Sequence, residues 1–138
     1  MRSLILQTTA PIVLHLTMIF SLYILLYGHD QPGGGFIAGI MTSIGIVLQW
    51  VAFGTKEALK RFNWKWDNVF MVGLLISSLT GLYGYFSNGF LKSSIYKIDL
   101  LLIGEIKIFT AFIFDVGVYL VVVGVLMFIF TNFCSEKP

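Results

Sequence analysis

Charged residues make up only 12% of this 138-residue chain, and there are just one cysteine, two histidines and three prolines. Soluble domains carry roughly 25% charge, so an ordinary water-facing surface is excluded. The single cysteine, Cys134, rules out an internal disulfide. Beside the last apolar run it is either an inert residue or, in cells with that chemistry, a palmitoylation site. His15 and His29 are too isolated to give a metal-ligand spacing. A net charge of +2 is too small to point to nucleic acid. The glycine cluster at Gly33–Gly35 lacks the G-x-x-x-x-G-K-[ST] pattern of a phosphate loop and joins two apolar runs rather than a strand and a helix. No nucleophile stands in a triad setting. A soluble-type enzyme is therefore not expected, nor a bound metal or cofactor.

What the chain has instead is long apolar runs. Ser3–Tyr27, Phe36–Phe53 and Val69–Phe86 contain no Asp, Glu, Lys or Arg, and Ile108–Phe133 contains only Asp115. A helix needs roughly 20 apolar residues to cross the hydrocarbon core. In lipid the backbone must satisfy its own hydrogen bonds, which favours helices over open strands. The reading is an all-α integral membrane protein, one domain over residues 1–138, with four transmembrane helices at about 3–27, 36–53, 69–86 and 108–133. The first run is longer than a signal-peptide core of about 7–15 residues, and Gly28-His29-Asp30 is no small-x-small cleavage site, so it is expected to stay as a span.

Four spans put both termini on one side. Arg2, Lys56, Lys60, Arg61, Lys65 and Lys137 fall on that side, against Lys92, Lys97 and Lys107 on the other. The positive-inside rule then makes both termini cytoplasmic. Trp50, Trp64 and Trp66 flank the same boundary and are expected at headgroup level. The link between them is expected to open with a short interfacial helix at Thr55. The link at 87–107 is long for a structureless loop. Its Ile98–Gly104 stretch is too short to span and is read as lying on the outer surface or against another protein.

Small residues mark helix interfaces in lipid. Span two carries Gly35, Gly39, Thr42 and Gly45, with Gln49 further on. Span three carries Gly73, Ser77, Gly81 and Gly84, and span four Gly117 and Gly124. These stripes serve either contacts within the chain or contacts to other subunits. In span four Asp115 and Tyr119 share one face, and Gly117 lies roughly 200° around the helix from Asp115. That helix therefore needs protein or water on both sides, more than a free-standing four-helix bundle easily supplies. In span one Pro11 cannot donate its backbone bond. His15, mid-run, is either a neutral histidine bonded to a neighbouring helix or a proton relay. Asp115 lies about 10 Å from the outer end of its span. It serves as a local hydrogen-bonding group, an ion pair with a partner, or part of an ion pathway. His15 and Asp115 are too few for a one-chain pump, so the residues themselves point to a component of a larger assembly.

Two segments carry a family resemblance. Gly28-His29-Asp30-Gln31-Pro32-Gly33-Gly34-Gly35-Phe36, followed by Gly39, resembles the G-H-x-x-P-G-G-G-F signature of the B subunits of Mrp-type Na⁺/H⁺ antiporters. Phe114-Asp115-Val116-Gly117-Val118-Tyr119-Leu120, followed by Gly124, resembles the F-D-x-G-V-Y-L segment of the same family. Leu4-Ile5-Leu6-Gln7-Thr8 looks similar as well. Ala38 departs from the family pattern by standing where many relatives have glycine, and Glu105-Ile106-Lys107 is unusual before the last span.

The resemblance implies a non-catalytic subunit of a hetero-oligomeric antiporter in a bacterial plasma membrane. That complex exports Na⁺ against H⁺ in pH homeostasis, and its large subunits resemble the pumping subunits of respiratory complex I. A subunit of a membrane-bound hydrogenase-type complex and a stand-alone homo-oligomeric exporter are the alternatives. His29, Asp30, Pro32, Gly33, Gly34, Gly35, Phe36, Asp115 and Tyr119 are the candidate subunit-interface or ion-pathway residues. The corner at Pro32–Gly35 is the expected docking point, because proline fixes one angle and bare glycine backbone admits a close neighbour. His29, of the residue type that changes charge near neutral pH, is either a plain loop residue or a reporter of outside pH.

Overall fold

The computed structural model describes residues 4–28, 34–62, 64–86, 95–100 and 104–135. Helix α1 runs over Leu4–Tyr27, α2 over Gly34–Phe53, the short α3 over Thr55–Arg61, α4 over Trp66–Phe86 and α5 over Thr110–Ser135. Strands β1 (Ile95–Leu100) and β2 (Gly104–Phe109) stand between α4 and α5. Leu4–Tyr27, Gly34–Phe53 and Ala111–Cys134 are long and apolar enough to cross a membrane. Helix α4 has 21 residues and opens on Trp66-Asp67-Asn68, ahead of the uncharged run Val69–Phe86.

The four long helices do not close into a symmetric bundle. Helix α1 packs on α2, α2 on α5 and α5 on α4, while α1 touches α5 only lightly. Helix α2 is the most enclosed of the three apolar spans: half of it is buried, against 17% of α1 and 28% of α5. The rest of the surface carries bare apolar side chains such as Leu16, Ile19, Leu75 and Leu79.

Glycine makes these contacts close. A Cβ on Gly73 of α4 would stand 2.6 Å from the Val121 nitrogen, and one on Gly117 of α5 would stand 2.8 Å from the Ser77 nitrogen. A Cβ on Gly124 would be 2.6 Å from the Phe70 nitrogen. The small-residue stripes of α4 and α5 thus face each other. Gly81, in the same α4 stripe, has nothing within 4 Å.

Gly54 turns the chain out of α2 at φ 84°, ψ 162°, a conformation open essentially to glycine alone. A helix does start at Thr55, and its Ala58 is buried. Ile46, Trp50, Ala58, Trp66, Val123 and Met127 form one core cluster where α2, α3, α4 and α5 meet. This corrects the expectation for two tryptophans. Trp50 is 2% exposed and Trp66 6%, whereas Trp64 is 69% exposed. Trp50 meets the Phe130 ring edge-on at 5.7 Å, and Trp64 stacks on Trp66 at 5.9 Å. The fold-back of α3 covers Trp50 and Trp66, so Trp64 alone of the three remains free to sit among headgroups.

The hairpin is a second difference from the expected all-helical chain. It pairs antiparallel, with Lys97 opposite Lys107, Asp99 opposite Glu105 and Leu100 opposite Gly104. Ile98–Leu100 of the stretch read as lying on the outer surface or against another protein is strand, and residues 101–103 of it lie outside the described residues. Ile108 and Phe109, expected to open the last span, belong to β2, and the helix begins at Thr110.

Gly73→Ala should destabilise the chain by about 1–3 kcal/mol, since the added methyl meets backbone that cannot yield. Gly81→Ala should be neutral or slightly stabilising, because it adds helix propensity in open space. Thermal unfolding of both variants in detergent checks the contrast.

Candidate functional site

The two signature segments meet in space. Gly34 and Gly35 open α2 and are buried. A Cβ on Gly35 would collide with the backbone carbonyl oxygen of Asp115 in α5. One turn on, a Cβ on Gly39 would stand 2.8 Å from Val122 Cβ and 3.2 Å from the Tyr119 carbonyl oxygen. The start of α2 therefore lies directly on the Asp115–Val122 stretch of α5. The ends of the intervening corner are also tight: a Cβ on Gly28 would stand 2.5 Å from Gly34 Cα. His29, Asp30, Pro32 and Gly33 lie outside the described residues. Phe36 is 52% exposed and borders an open apolar groove with Val121, Val122 and Val125 of α5. Asp115 and Tyr119 are both half-buried.

Below the glycine contact three hydroxyls connect three helices. Ser21 of α1 donates through Oγ to the Ala38 carbonyl oxygen at 2.9 Å. Ser21 and Thr42 hydroxyl oxygens lie 2.7 Å apart, and Thr42 and Tyr119 hydroxyl oxygens 3.0 Å apart. A hydroxyl has one proton to give. Ser21 spends its own on Ala38 and so accepts from Thr42. Thr42 then accepts from Tyr119. The chain runs one way, from Tyr119 to Thr42 to Ser21 to the Ala38 carbonyl. It ends on an amide oxygen that has no proton to hand on. Chemically it is a tie between α1, α2 and α5, not a through-route for protons. Ser21 and Thr42 are each buried to within 2% of completely, where an unmade hydrogen bond costs about 1–3 kcal/mol.

Further along the α1–α2 seam, Gln49 Nε2 donates to the Ala10 carbonyl oxygen at 2.6 Å, and Gln7 Nε2 to the Ala52 carbonyl oxygen at 3.4 Å. His15 is not on this seam. It is exposed and its Nδ1 lies 2.6 Å from the Pro11 carbonyl oxygen of its own helix. The expected hydrogen bond to a neighbouring helix is thus replaced by a local one. Sequence reading named Tyr119 and Thr42 but passed over Ser21. The heptad step Gln7, Leu14, Ser21 was the available signal.

The expectation that α5 has protein or water on both sides is met, but by this chain itself, which the sequence reading did not expect of a four-helix chain. Its Gly117–Gly124 face meets α4 and its Asp115–Tyr119 face meets α2. Both sides are supplied by this chain, because α5 sits between α2 and α4 rather than at the edge of a bundle.

Apolar spans with polar groups tied off between them define a multi-pass membrane protein. Residues 5–128 match the family described as a domain related to the MnhB subunit of Na⁺/H⁺ antiporter. The chain belongs to that family. It is 39% identical over 137 residues to the Na⁺/H⁺ antiporter B subunit of Bacillus subtilis (strain 168), covering 99% of this chain and 96% of that one. It is 35% identical to a putative antiporter subunit mnhB2 of Staphylococcus haemolyticus (strain JCSC1435), over 99% and 97% of the two chains. A chain in the structure of the Mrp complex from Dietzia sp. DQ12-45-1b superposes with a TM-score of 0.76 at 34% identity. The match covers 97% of this chain and spans only 15% of that much longer one. Bacterial relatives and apolar helices together make this a multi-pass bacterial membrane protein.

Tyr119→Phe and Thr42→Val should each lower stability, and the double variant should lose less than the two added together. The coupling expected for a hydrogen bond between membrane helices is about 0.6 kcal/mol. A double-mutant cycle on unfolding in detergent reads it.

Proposed function

We propose that this chain is a non-catalytic integral subunit of a hetero-oligomeric Na⁺/H⁺ antiporter, needed for assembly of the complex and for Na⁺ export coupled to H⁺ entry. The observation that carries the reading is the end-to-end match with antiporter B subunits, 39% identical over 96% of the relative's length. In this reading the chain is one domain whose α1, α2, α4 and α5 all cross the plasma membrane, with both termini in the cytoplasm. Helix α4 is long enough to span at 21 residues. Its partners are the other antiporter subunits, including large complex-I-like ones, together with lipid.

The junction of α2 and α5 is the part of the chain that serves the complex. Gly34 and Gly35 open α2, with Gly35 seated directly on Asp115 of α5, and Phe36 stands exposed beside them for a neighbouring subunit; His29, Asp30, Pro32 and Gly33, which precede them in sequence, serve the same contact. Tyr119 fixes the depth of α5 through Thr42. Asp115 then bears either on subunit contact or on the ion route.

Removing the chain should abolish Na⁺-dependent antiport in everted membrane vesicles and lower recovery of the complex; undiminished antiport in its absence would sink the reading. Asp115→Asn separates the two roles of that residue. If the complex is recovered in full and antiport falls, Asp115 bears on the ion route. If complex recovery falls first, it serves contact.

A further inference from the structure

His15 lies midway along the 24-residue α1, roughly 16 Å from either end, at the centre of the hydrocarbon layer if α1 crosses it. Its side chain is exposed on this chain. Ionisable residues at such depth almost always face protein or a water-filled cavity rather than lipid. The inner seam of α1 is taken: Gln7, Ala10, Thr17 and Ser21 all engage α2. His15 belongs to a second seam, with Thr8, Ile12, Ile19 and Leu22. These residues are spaced alternately four and three apart, as in helices that interlock side by side. All five are exposed. The Thr8 hydroxyl is already bonded to the Leu4 and Ile5 carbonyl oxygens. His15 is therefore the residue of this seam with polar capacity to spare.

The ring geometry says what the seam accepts. A carbonyl oxygen only accepts hydrogen bonds, so the 2.6 Å contact with Pro11 places a proton on His15 Nδ1. In the neutral ring that carries its proton on Nδ1, Nε2 presents a lone pair. Acyl chains have no donor to offer it. A second copy of this chain packed seam to seam about a two-fold axis would set Nε2 against Nε2, two acceptors with no proton between them. Resting on the reading of this chain as one component of an antiporter, we propose that the outer seam of α1, centred on His15, docks a transmembrane helix of a different subunit. That helix supplies an O–H or N–H donor, from a residue such as Ser, Thr or Asn, at the level of Nε2.

The test uses the intact complex in its own membrane. A photo-crosslinking residue at position 15 should join this chain to a single, different membrane protein, at a segment with a hydroxyl or amide side chain within one turn. His15→Leu should lower co-purification of that partner about threefold, the factor that corresponds to an average interhelical hydrogen bond of ~0.6 kcal/mol in lipid. His15→Gln, which keeps an acceptor, should restore part of it. Three outcomes overturn the proposal: a cross-link to a second copy, a cross-link to lipid alone, or labelling of His15→Cys by a membrane-impermeant thiol reagent, which would mean a water-filled cavity. A cross-link to a membrane protein outside any antiporter supports the seam while overturning the antiporter assembly. Antiport that survives intact while position 15 joins nothing but lipid overturns the seam alone.

Discussion

Helix α5 lies against a helix on each side at distances that leave no room for a Cβ atom. On one side Gly35 and Gly39 of α2 press on the Asp115–Val122 backbone, and on the other Gly117 and Gly124 press on Ser77 and Phe70 of α4. In a membrane there is no hydrophobic gain from joining two apolar helices, since lipid is as apolar as leucine. What remains is close van der Waals contact and the few polar bonds that can form at that range. The glycine contacts therefore set the spacing on which every other interaction in the chain depends. The hydroxyls of Thr42 and Tyr119 meet at 3.0 Å only because the backbones beside them have already met.

The polar groups follow the same logic. Lipid offers them nothing, so several are tied within the chain: Ser21 to Ala38, Gln49 to Ala10, and His15 Nδ1 to Pro11; the buried indole nitrogens of Trp50 and Trp66 are exceptions with no partner among the described residues. Several of these acceptors are backbone carbonyls that already belong to a helix, using the second lone pair that helical bonding leaves free. Ala10 and Pro11 sit in the turn that Pro11 weakens by lacking an N–H. Two side-chain contacts, from Gln49 and His15, are spent on that one turn. The trunk of α1 is thereby held at its weakest point.

Much of this was legible in the residues. Long uncharged runs locate α1, α2 and α4 to within a few residues, because span length is fixed by the bilayer and not by packing. The glycine stripes mark the contact faces correctly at Gly39, Gly73, Gly117 and Gly124. Gly81 shows the limit, since spacing says which face a residue is on but not where along a helix the neighbour stops. The order of the helices was not legible, which is why α5 looked over-supplied with interfaces; contact between helices distant in sequence leaves no local signal. Trp50 and Trp66 were misplaced for a similar reason. Composition put them at a boundary, but Gly54 turns α3 back over them. The hairpin did leave a signal: polar and apolar residues alternate through Tyr96–Leu100 and Glu105–Ile108, the period of a strand. The rule that favours helices over open strands applies only where lipid is the solvent, and so does not bear on this link.

The two signature segments lie far apart in the chain, yet they are halves of one joint. Gly35 is small because the Asp115 carbonyl occupies the place of its side chain. A displacement of the start of α2 must therefore move α5 or open the contact. If it moves α5, the Tyr119–Thr42–Ser21 chain carries the strain to α1, and Gly117 carries it to α4. The reverse also holds: a force on Asp115 from outside the chain reaches the start of α2 through a contact with no flexible side chain to absorb it. A glycine-on-backbone contact is stiff in this way, where a leucine-on-leucine contact would yield by a change of rotamer. Asp115 on α5 and the Gly34–Gly35 start of α2 are thus coupled mechanically. Any neighbouring protein that grips one side of the joint positions the other.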